Sequence, residues 1–199
     1  MSHKAQKIFC LEMRDKFRRH FINANIIDCG SLNVNGTNRW LFRRNLFNWR
    51  GMNSYTGIDI SLGDNVHILE RVHIALPKIA SMPAKYLVKG KNNKPVWPID
   101  IVISTEMLEH DRFWKESLRA MYDVLRPGGL LLITAGGDGR PEHGTKMCTP
   151  GASPDTLDYY QNISNEMFSK ALPRYMFNQY VIRQASGDFQ FAGVKKRTT

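Results

Sequence analysis

Three cysteines in 199 residues, Cys10, Cys29 and Cys148, are odd in number, far apart and without CxxC spacing. That excludes a disulfide framework and gives no sign of a structural zinc site; small buried thiols are expected. No apolar run approaches the length that spans a bilayer. The first 19 residues carry charges where a signal peptide would carry its apolar segment, which predicts a cytoplasmic protein. There is no internal repeat and no low-complexity tract. Acid is scarce, with 18 Asp and Glu against 28 Lys and Arg. The excess is concentrated in residues 1–50, where ten Lys or Arg face only Glu12, Asp15 and Asp28. Such a balance favours a phosphate-bearing partner, including nucleic acid, or a solvated basic helix face. Trp40, Phe42, Phe47 and Trp49 lie among these charges and suit base stacking or, more simply, packing of a helix on a sheet.

What is present is the punctuation of an α/β sheet. Residues 2–21 place Phe9, Met13, Phe17 and Phe21 at four-residue steps, predicting an amphipathic helix that forms core or covers the sheet edge. A short buried strand over 25–29 then ends in Asp28 and breaks into Gly30-Ser31-Leu32-Asn33-Val34-Asn35-Gly36, a turn suited to close approach by a nucleotide-like ligand. A helical stretch over 37–47 follows. The next strand, over 53–60, is β-branched and aromatic and also ends in an acid, Asp59, 23 residues after Gly36. A strand-tip acid at roughly 20 residues from a glycine turn is the acceptor for ribose hydroxyls in dinucleotide-binding units. No GxGxxG occurs, which counts against a nicotinamide-type oxidoreductase.

Residues 66–80 suit either a strand or a helix, and 89–98 read as a surface loop. Residues 100–104 form a nearly continuous apolar run of the buried parallel kind, leading into Thr105-Glu106-Met107-Leu108-Glu109-His110. Trp114, Leu118, Met121 and Leu125 recur at helical spacing, and Arg126-Pro127-Gly128-Gly129 stops that helix. A second buried strand over 130–134 opens into the polar, glycine-rich loop 136–144, a place where functional groups are expected. Residues 165–172 predict a helix capped by Ser164. Residues 175–184 and 189–194 predict an antiparallel hairpin around Ser186-Gly187-Asp188 that closes the sheet edge.

The order and spacing of four of these stretches resemble the class I S-adenosylmethionine-dependent methyltransferases, in their small-molecule, type 11-like branch. They are 26–36, 55–60, 101–110 and 125–129 with its following strand. The resemblance implies a single domain over 1–199, with an N-terminal helix in 1–24 and an α/β core in 25–199. The core would be a Rossmann-like, doubly wound sheet of seven mostly parallel strands with a C-terminal antiparallel hairpin. It implies S-adenosyl-L-methionine as cofactor, S-adenosyl-L-homocysteine as product, and methyl transfer to an O or N atom of a small acceptor. Carried over position by position, Gly30, Ser31, Leu32 and Asn35 lie against the amino-acid half of the cofactor and Asp28 near its ammonium. Asp59 would take the ribose hydroxyls, Ile60 would flank the adenine, and Thr105, Glu106 and His110 would line the methionine side. Two departures stand out: Leu32 replaces a glycine common at that position, and the third motif is not recognisable around Glu70, Arg71 and His73.

Methyl transfer from a sulfonium needs alignment first, and a general base only where the acceptor must lose a proton. His110 and His143 are the candidates for that role, with Glu109 and Glu142 beside them. Tyr159 and Tyr160 either wall an acceptor pocket or pack a helix. Glu109, Asp111, Asp138 and Glu142 lack a ligand spacing, so no metal is expected. After the third long strand the chain has neither a Pro-Pro-aromatic sequence nor a Pro-Cys nucleophile, which counts against DNA amine or cytosine-carbon methylation. RNA is the second acceptor class, and a fold retained for binding without turnover is the third reading.

Overall fold

In the computed structural model, which describes residues 4–34, 36–42, 52–81 and 99–197, one sheet organises the chain. Its strands are β1 (Asn25–Cys29), β2 (Ser54–Asp59), β3 (Ile68–Leu69), β4 (Ile99–Thr105), β5 (Leu125–Gly136), β6 (Phe177–Ala185) and β7 (Asp188–Lys195), in the order β3-β2-β1-β4-β5-β7-β6. All pair in parallel except β7, which runs antiparallel to both of its neighbours. Order reverses between β1 and β4, and the crevice beyond the carboxyl ends of those two strands is where open α/β sheets bind ligands.

The central strands β1, β4 and β5 are apolar almost throughout because both faces are covered, and their two-residue period divides the core. Ile26, Ile101, Ile103, Leu130 and Leu132 face the N-terminal helix α1 (Lys4–Lys16), meeting Phe9, Met13, Phe17 and Phe21. Ile27, Val102, Leu131 and Ile133 face the other way, toward α2 (Val72–Ser81), α3 (Trp114–Val124) and α4 (Asn165–Ala171). The N-terminal segment therefore covers a sheet face, not an edge. It also ends as an α-helix earlier than its periodicity predicts. After Phe17 the bonding tightens to His20 N donating to Phe17 O at 2.9 Å, and Arg18–Phe21 form a 3-10 turn that still keeps Phe21 buried.

Of the helix expected over 37–47, Asn38–Phe42 form a 3-10 turn; residues 43–47 lie outside the described residues, as does the loop expected over 89–98. Residues 66–80 resolve into both alternatives, β3 and α2. Ser164 caps α4, its Oγ accepting from Met167 N at 3.1 Å. The hairpin turn is Ser186-Gly187, both at positive φ, as a two-residue primed turn requires, and Asp188 already belongs to β7. Among the described residues no helix is long and apolar enough to cross a membrane.

At the far end of α3 the chain passes directly into β5. The freed helix carbonyls are taken by Lys195 at the end of β7, whose Nζ donates to Tyr122 O (2.9 Å), Asp123 O (3.2 Å) and Leu125 O (2.8 Å). A cation on carbonyls at a helix C-terminus satisfies acceptors that have no intrahelical donor. Lys195→Met keeps the stem and removes all three bonds. It is expected to lower the unfolding free energy by about 2 kcal/mol, measurable by urea denaturation.

Candidate active site

The crevice is built from the tips of β1, β2 and β4. Gly30 leaves β1 at φ +76°, and a Cβ there would lie 2.6 Å from Met107 Cβ. Backbone conformation and the approach of the β4 loop thus both demand glycine. The turn is held from β2: Gly30 N and Ser31 N donate to Ile58 O at 2.9 and 3.2 Å, and Leu32 N donates to Asp59 Oδ2 at 2.9 Å. Leu32 is accommodated because the place its side chain needs is vacated by Gly63, where a Cβ would stand 2.4 Å from Leu32 Cδ1. Asn35 lies outside the described residues; Gly36 N donates to Asn33 Oδ1 at 3.1 Å, closing the turn locally.

Two strand-tip acids flank this turn, in different environments. Asp28 is buried, and its oxygens accept from Tyr55 Oη at 2.5 Å and from Asn38 Nδ2 at 3.2 Å. Burial pushes its carboxyl up to about 7, opposed by those two hydrogen bonds; burial and the Asp28 charge push the Tyr55 phenol up as well. Asn38 Nδ2 also reaches Thr105 Oγ1 at 3.0 Å, so its amide ties the Asp28 carboxyl to the end of β4. Asp59 is more open: burial raises it, while the N–H groups of Leu32 and Ser61 hold it down. Both acids line the cleft with Gly30, Ser31, Leu32 and Ile60.

Thr105, Glu106 and His110 line the same cleft. Glu106 sits at φ +55°, an uncommon conformation for a residue with a side chain. Its Oε1 accepts from Thr134 Oγ1 at 3.1 Å, and its Oε2 stands 3.6 Å from Arg140 Nη2. Burial raises its carboxyl to about 7, with the Asp188 charge adding to the rise and Arg140 opposing it. Arg140 is itself paired with Asp188 across the sheet end.

Around His110 the structure assembles a group that the chain disperses. The rings of His110 and His143 are 5.1 Å apart, and the Tyr160 ring is 5.4 Å from the first and 4.9 Å from the second. His143, a candidate base from the loop after β5, and Tyr160, open in the sequence between an acceptor-pocket wall and helix packing, both belong to this group, although neither lines the cleft itself. Glu109 lies fully buried beneath them, with Oε1 accepting from Gly136 N at 2.8 Å. A Cβ on Gly136 would meet Tyr160 Oη at 2.7 Å and Glu109 Oε1 at 3.5 Å, so only glycine lets the tyrosine hydroxyl and the carboxyl approach there. Burial raises Glu109 well above the usual carboxylate range and lowers His110 to about 4, with the His143 charge adding to the latter. His143 is lowered by burial too. Two of the other acids named as potential ligands do other work. Asp111 accepts from Phe113 N and Ser117 Oγ at the start of α3, and Glu142 accepts from Thr145 Oγ1 at 2.7 Å.

The roof of the cleft, Ala152 to Thr156, carries no motif that marks it in advance. Tyr55, Asn38 and Arg140 were likewise invisible as site residues, because their partners are 10 to 48 positions away in the chain.

The strand order, the parallel sheet with its reversed β7 and the crevice at the β1/β4 switch are the architecture of the S-adenosylmethionine-dependent methyltransferase fold. Individual structures of that fold superpose over nearly the whole chain. A 1,6-didemethyltoxoflavin-N1-methyltransferase from Burkholderia thailandensis, in complex with 1,6-didemethyltoxoflavin and S-adenosylhomocysteine, matches with a TM-score of 0.58 at 11% identity, over 97% of this chain and 79% of its own. An S-adenosylmethionine-dependent methyltransferase from Archaeoglobus fulgidus matches at 0.54 and 13%, over 93% and 92%. The CurJ carbon methyltransferase matches at 0.55 and 15% over 96% of this chain, which spans only 55% of its length. At such identities the likeness is one of fold. No family model and no curated protein matches the chain in sequence.

Proposed function

We propose that the protein is an S-adenosylmethionine-dependent methyltransferase acting on an O or N atom of a small-molecule acceptor. The observation that carries this reading is the pair of strand-tip carboxyls, Asp28 and Asp59, flanking the Gly30 turn at the reversal point of the sheet. Asp59 offers the ribose hydroxyls a partly open carboxylate that two backbone N–H groups already fix in place. Asp28 offers the amino-acid half a buried carboxyl, raised to about 7 by burial, whose ionised form an arriving ammonium would stabilise. The backbone of Gly30, Ser31 and Leu32 faces that half, Ile60 supplies an apolar flank for adenine, and Thr105 and Glu106 lie on the methionine side.

Bound there, S-adenosylmethionine would supply an activated methyl group: its sulfur–methyl bond would break with the pair staying on sulfur as a neutral thioether, a lone pair of the acceptor would form the new bond, and an O–H or N–H acceptor would give its proton to a base or to water. The protein's task is alignment and exclusion of water. We assign the acceptor to the His110 end of the cleft, with His110 at its wall and His143 packed behind it as the candidates for taking up the acceptor's proton.

Calorimetric titration of the purified protein with S-adenosylhomocysteine tests the reading. Saturable one-to-one binding is the expected result, and absence of heat with both this ligand and S-adenosylmethionine would sink it. Binding followed by no transfer to any member of a broad acceptor panel would instead favour a fold that binds without turnover.

A further inference from the structure

Three polar atoms around the histidine pair have no hydrogen-bond partner although they are buried: Glu109 Oε2, His110 Nδ1 and Tyr160 Oη. Buried polar atoms are nearly always paired, because an unmade bond there costs the full desolvation of the group. One such atom is an irregularity; three within one side-chain cluster imply something that belongs among them. Glu109 and His110 are fully or nearly fully buried, at 0% and 7% exposure, so bulk water does not supply the missing partners.

The donor set narrows what that something is. One carboxylate oxygen of Glu109 and one ring nitrogen each of His110 and His143 all lie within 4.8 Å of one another. Donors bound to one zinc-sized ion at about 2.0 to 2.2 Å stand roughly 3 to 4 Å apart, so a closure of about an ångström completes the set. The outer groups are already arranged for it. His143 Nδ1 lies 3.1 Å from Pro141 O, and since a carbonyl only accepts, that nitrogen carries the proton and Nε2 presents its lone pair. A backbone carbonyl that fixes the distal nitrogen in this way is the usual support of a metal-bound imidazole. Gly136 N holds Glu109 Oε1 and so leaves Oε2 directed at the group. Two imidazoles with one carboxylate suit first-row transition ions and zinc, whereas magnesium and calcium prefer all-oxygen sets.

We propose that Glu109, His110 and His143, with the Tyr160 hydroxyl beside them, form a binding site for one divalent first-row transition ion or zinc. Its protein donors number three, so the ion keeps open positions. His110 belongs both to the ion site and to the cleft lining, which places those positions toward the space assigned to the acceptor. An acceptor with adjacent oxygens, such as a vicinal diol or a hydroxy acid, would chelate there. The acceptor role rests on the methyltransferase reading; the ion binding does not. The three residues escape a sequence search for ligands because Glu109 and His110 are neighbours in a 3-10 turn, while His143 arrives from the loop after β5.

The test uses the full chain freed of metal by a chelator. Zinc is titrated by calorimetry, and cobalt is followed by its visible ligand-field absorption. S-adenosylhomocysteine binding is measured on the same samples. Expected are one-to-one binding of zinc and a cobalt spectrum of low-coordinate type. In His143→Ala, a change in a partly exposed loop, zinc affinity should fall at least about 100-fold, the upper end of what losing even an outer-shell partner costs. Asp138→Asn, on the exposed part of the same loop, should bind zinc as the parent does. Retained S-adenosylhomocysteine binding in His143→Ala would show that its fold is intact. Failure of the parent to bind zinc, or equal affinity in His143→Ala, overturns the proposal. Zinc bound at this site by a protein that takes no S-adenosylhomocysteine upholds the ion site and removes the methyltransferase reading instead.

Discussion

Asp59→Ala is expected to weaken S-adenosylhomocysteine binding by about 100-fold, close to 3 kcal/mol. Two losses add. The ribose hydroxyls lose an ionised acceptor, worth about 1.5 to 3 kcal/mol where water is excluded. Leu32 N, which donates to Asp59 Oδ2 at 2.9 Å, also loses the bond that anchors the ligand-facing turn to β2. Asp59→Asn separates the two: its amide oxygen still accepts from Leu32 N, so the turn stays anchored while the charge is gone, and a loss of about tenfold is expected. Calorimetry on all three proteins reads the series directly. Equal affinity in Asp59→Ala would mean that the tip of β2 does not meet the ribose.

That turn, with the sheet behind it, is also what the chain made most readable. Parallel strands covered on both faces need apolar side chains at every position, so β1, β4 and the inner part of β5 stand out as runs. Asp28 and Glu106, at the carboxyl ends of β1 and β4, stand out because the residues just before them are uncharged, the one other acid in these runs, Asp100, lying at the start of β4. Boundaries were less legible. The end of α1 depends on a switch to 3-10 bonding after Phe17, which leaves the four-residue spacing of Phe17 and Phe21 intact and so leaves no mark in the pattern. Leu32 looked like a defect because its compensation, the missing side chain of Gly63, lies 31 positions away. The histidine cluster was illegible for the same reason on a larger scale. Glu109, His143 and Tyr160 come from the ends of β4 and β5 and from the segment before α4, and only the closed sheet brings them within reach of one another. Sequence spacing records ligand sets carried by one element; this one is divided between the turn after β4 and the loop after β5, with Tyr160 added from a third segment.

Asp28 should make stability fall as pH rises, the reverse of the usual behaviour of a carboxylate in a salt bridge. Its folded value, about 7, lies above the unfolded value near 3.8. Between those limits the folded state therefore holds a proton that the unfolded state has lost. The contribution is most favourable below about pH 4 and disappears progressively up to about pH 7, above which it levels off at a cost of about 4 kcal/mol. The groups facing Asp28 do not cancel this: Tyr55 and Asn38 donate to it, Asp59 repels it, and the Cys10 thiol is held neutral by burial, pushed up to about 12. Urea denaturation at a series of pH values should show the slope. In Asp28→Asn, which retains an amide oxygen to accept from Tyr55, the slope should shrink by about 1.4 kcal/mol per pH unit, the contribution of one proton. An unchanged slope would assign the titration to another buried carboxyl. The cofactor reading adds a second consequence. An ammonium arriving beside Asp28 favours the ionised form, so binding near pH 6 should release about one proton. Calorimetric binding enthalpies measured in buffers of different ionisation enthalpy would register that release in the parent and its loss in Asp28→Asn. An enthalpy independent of buffer in the parent would place the ammonium elsewhere.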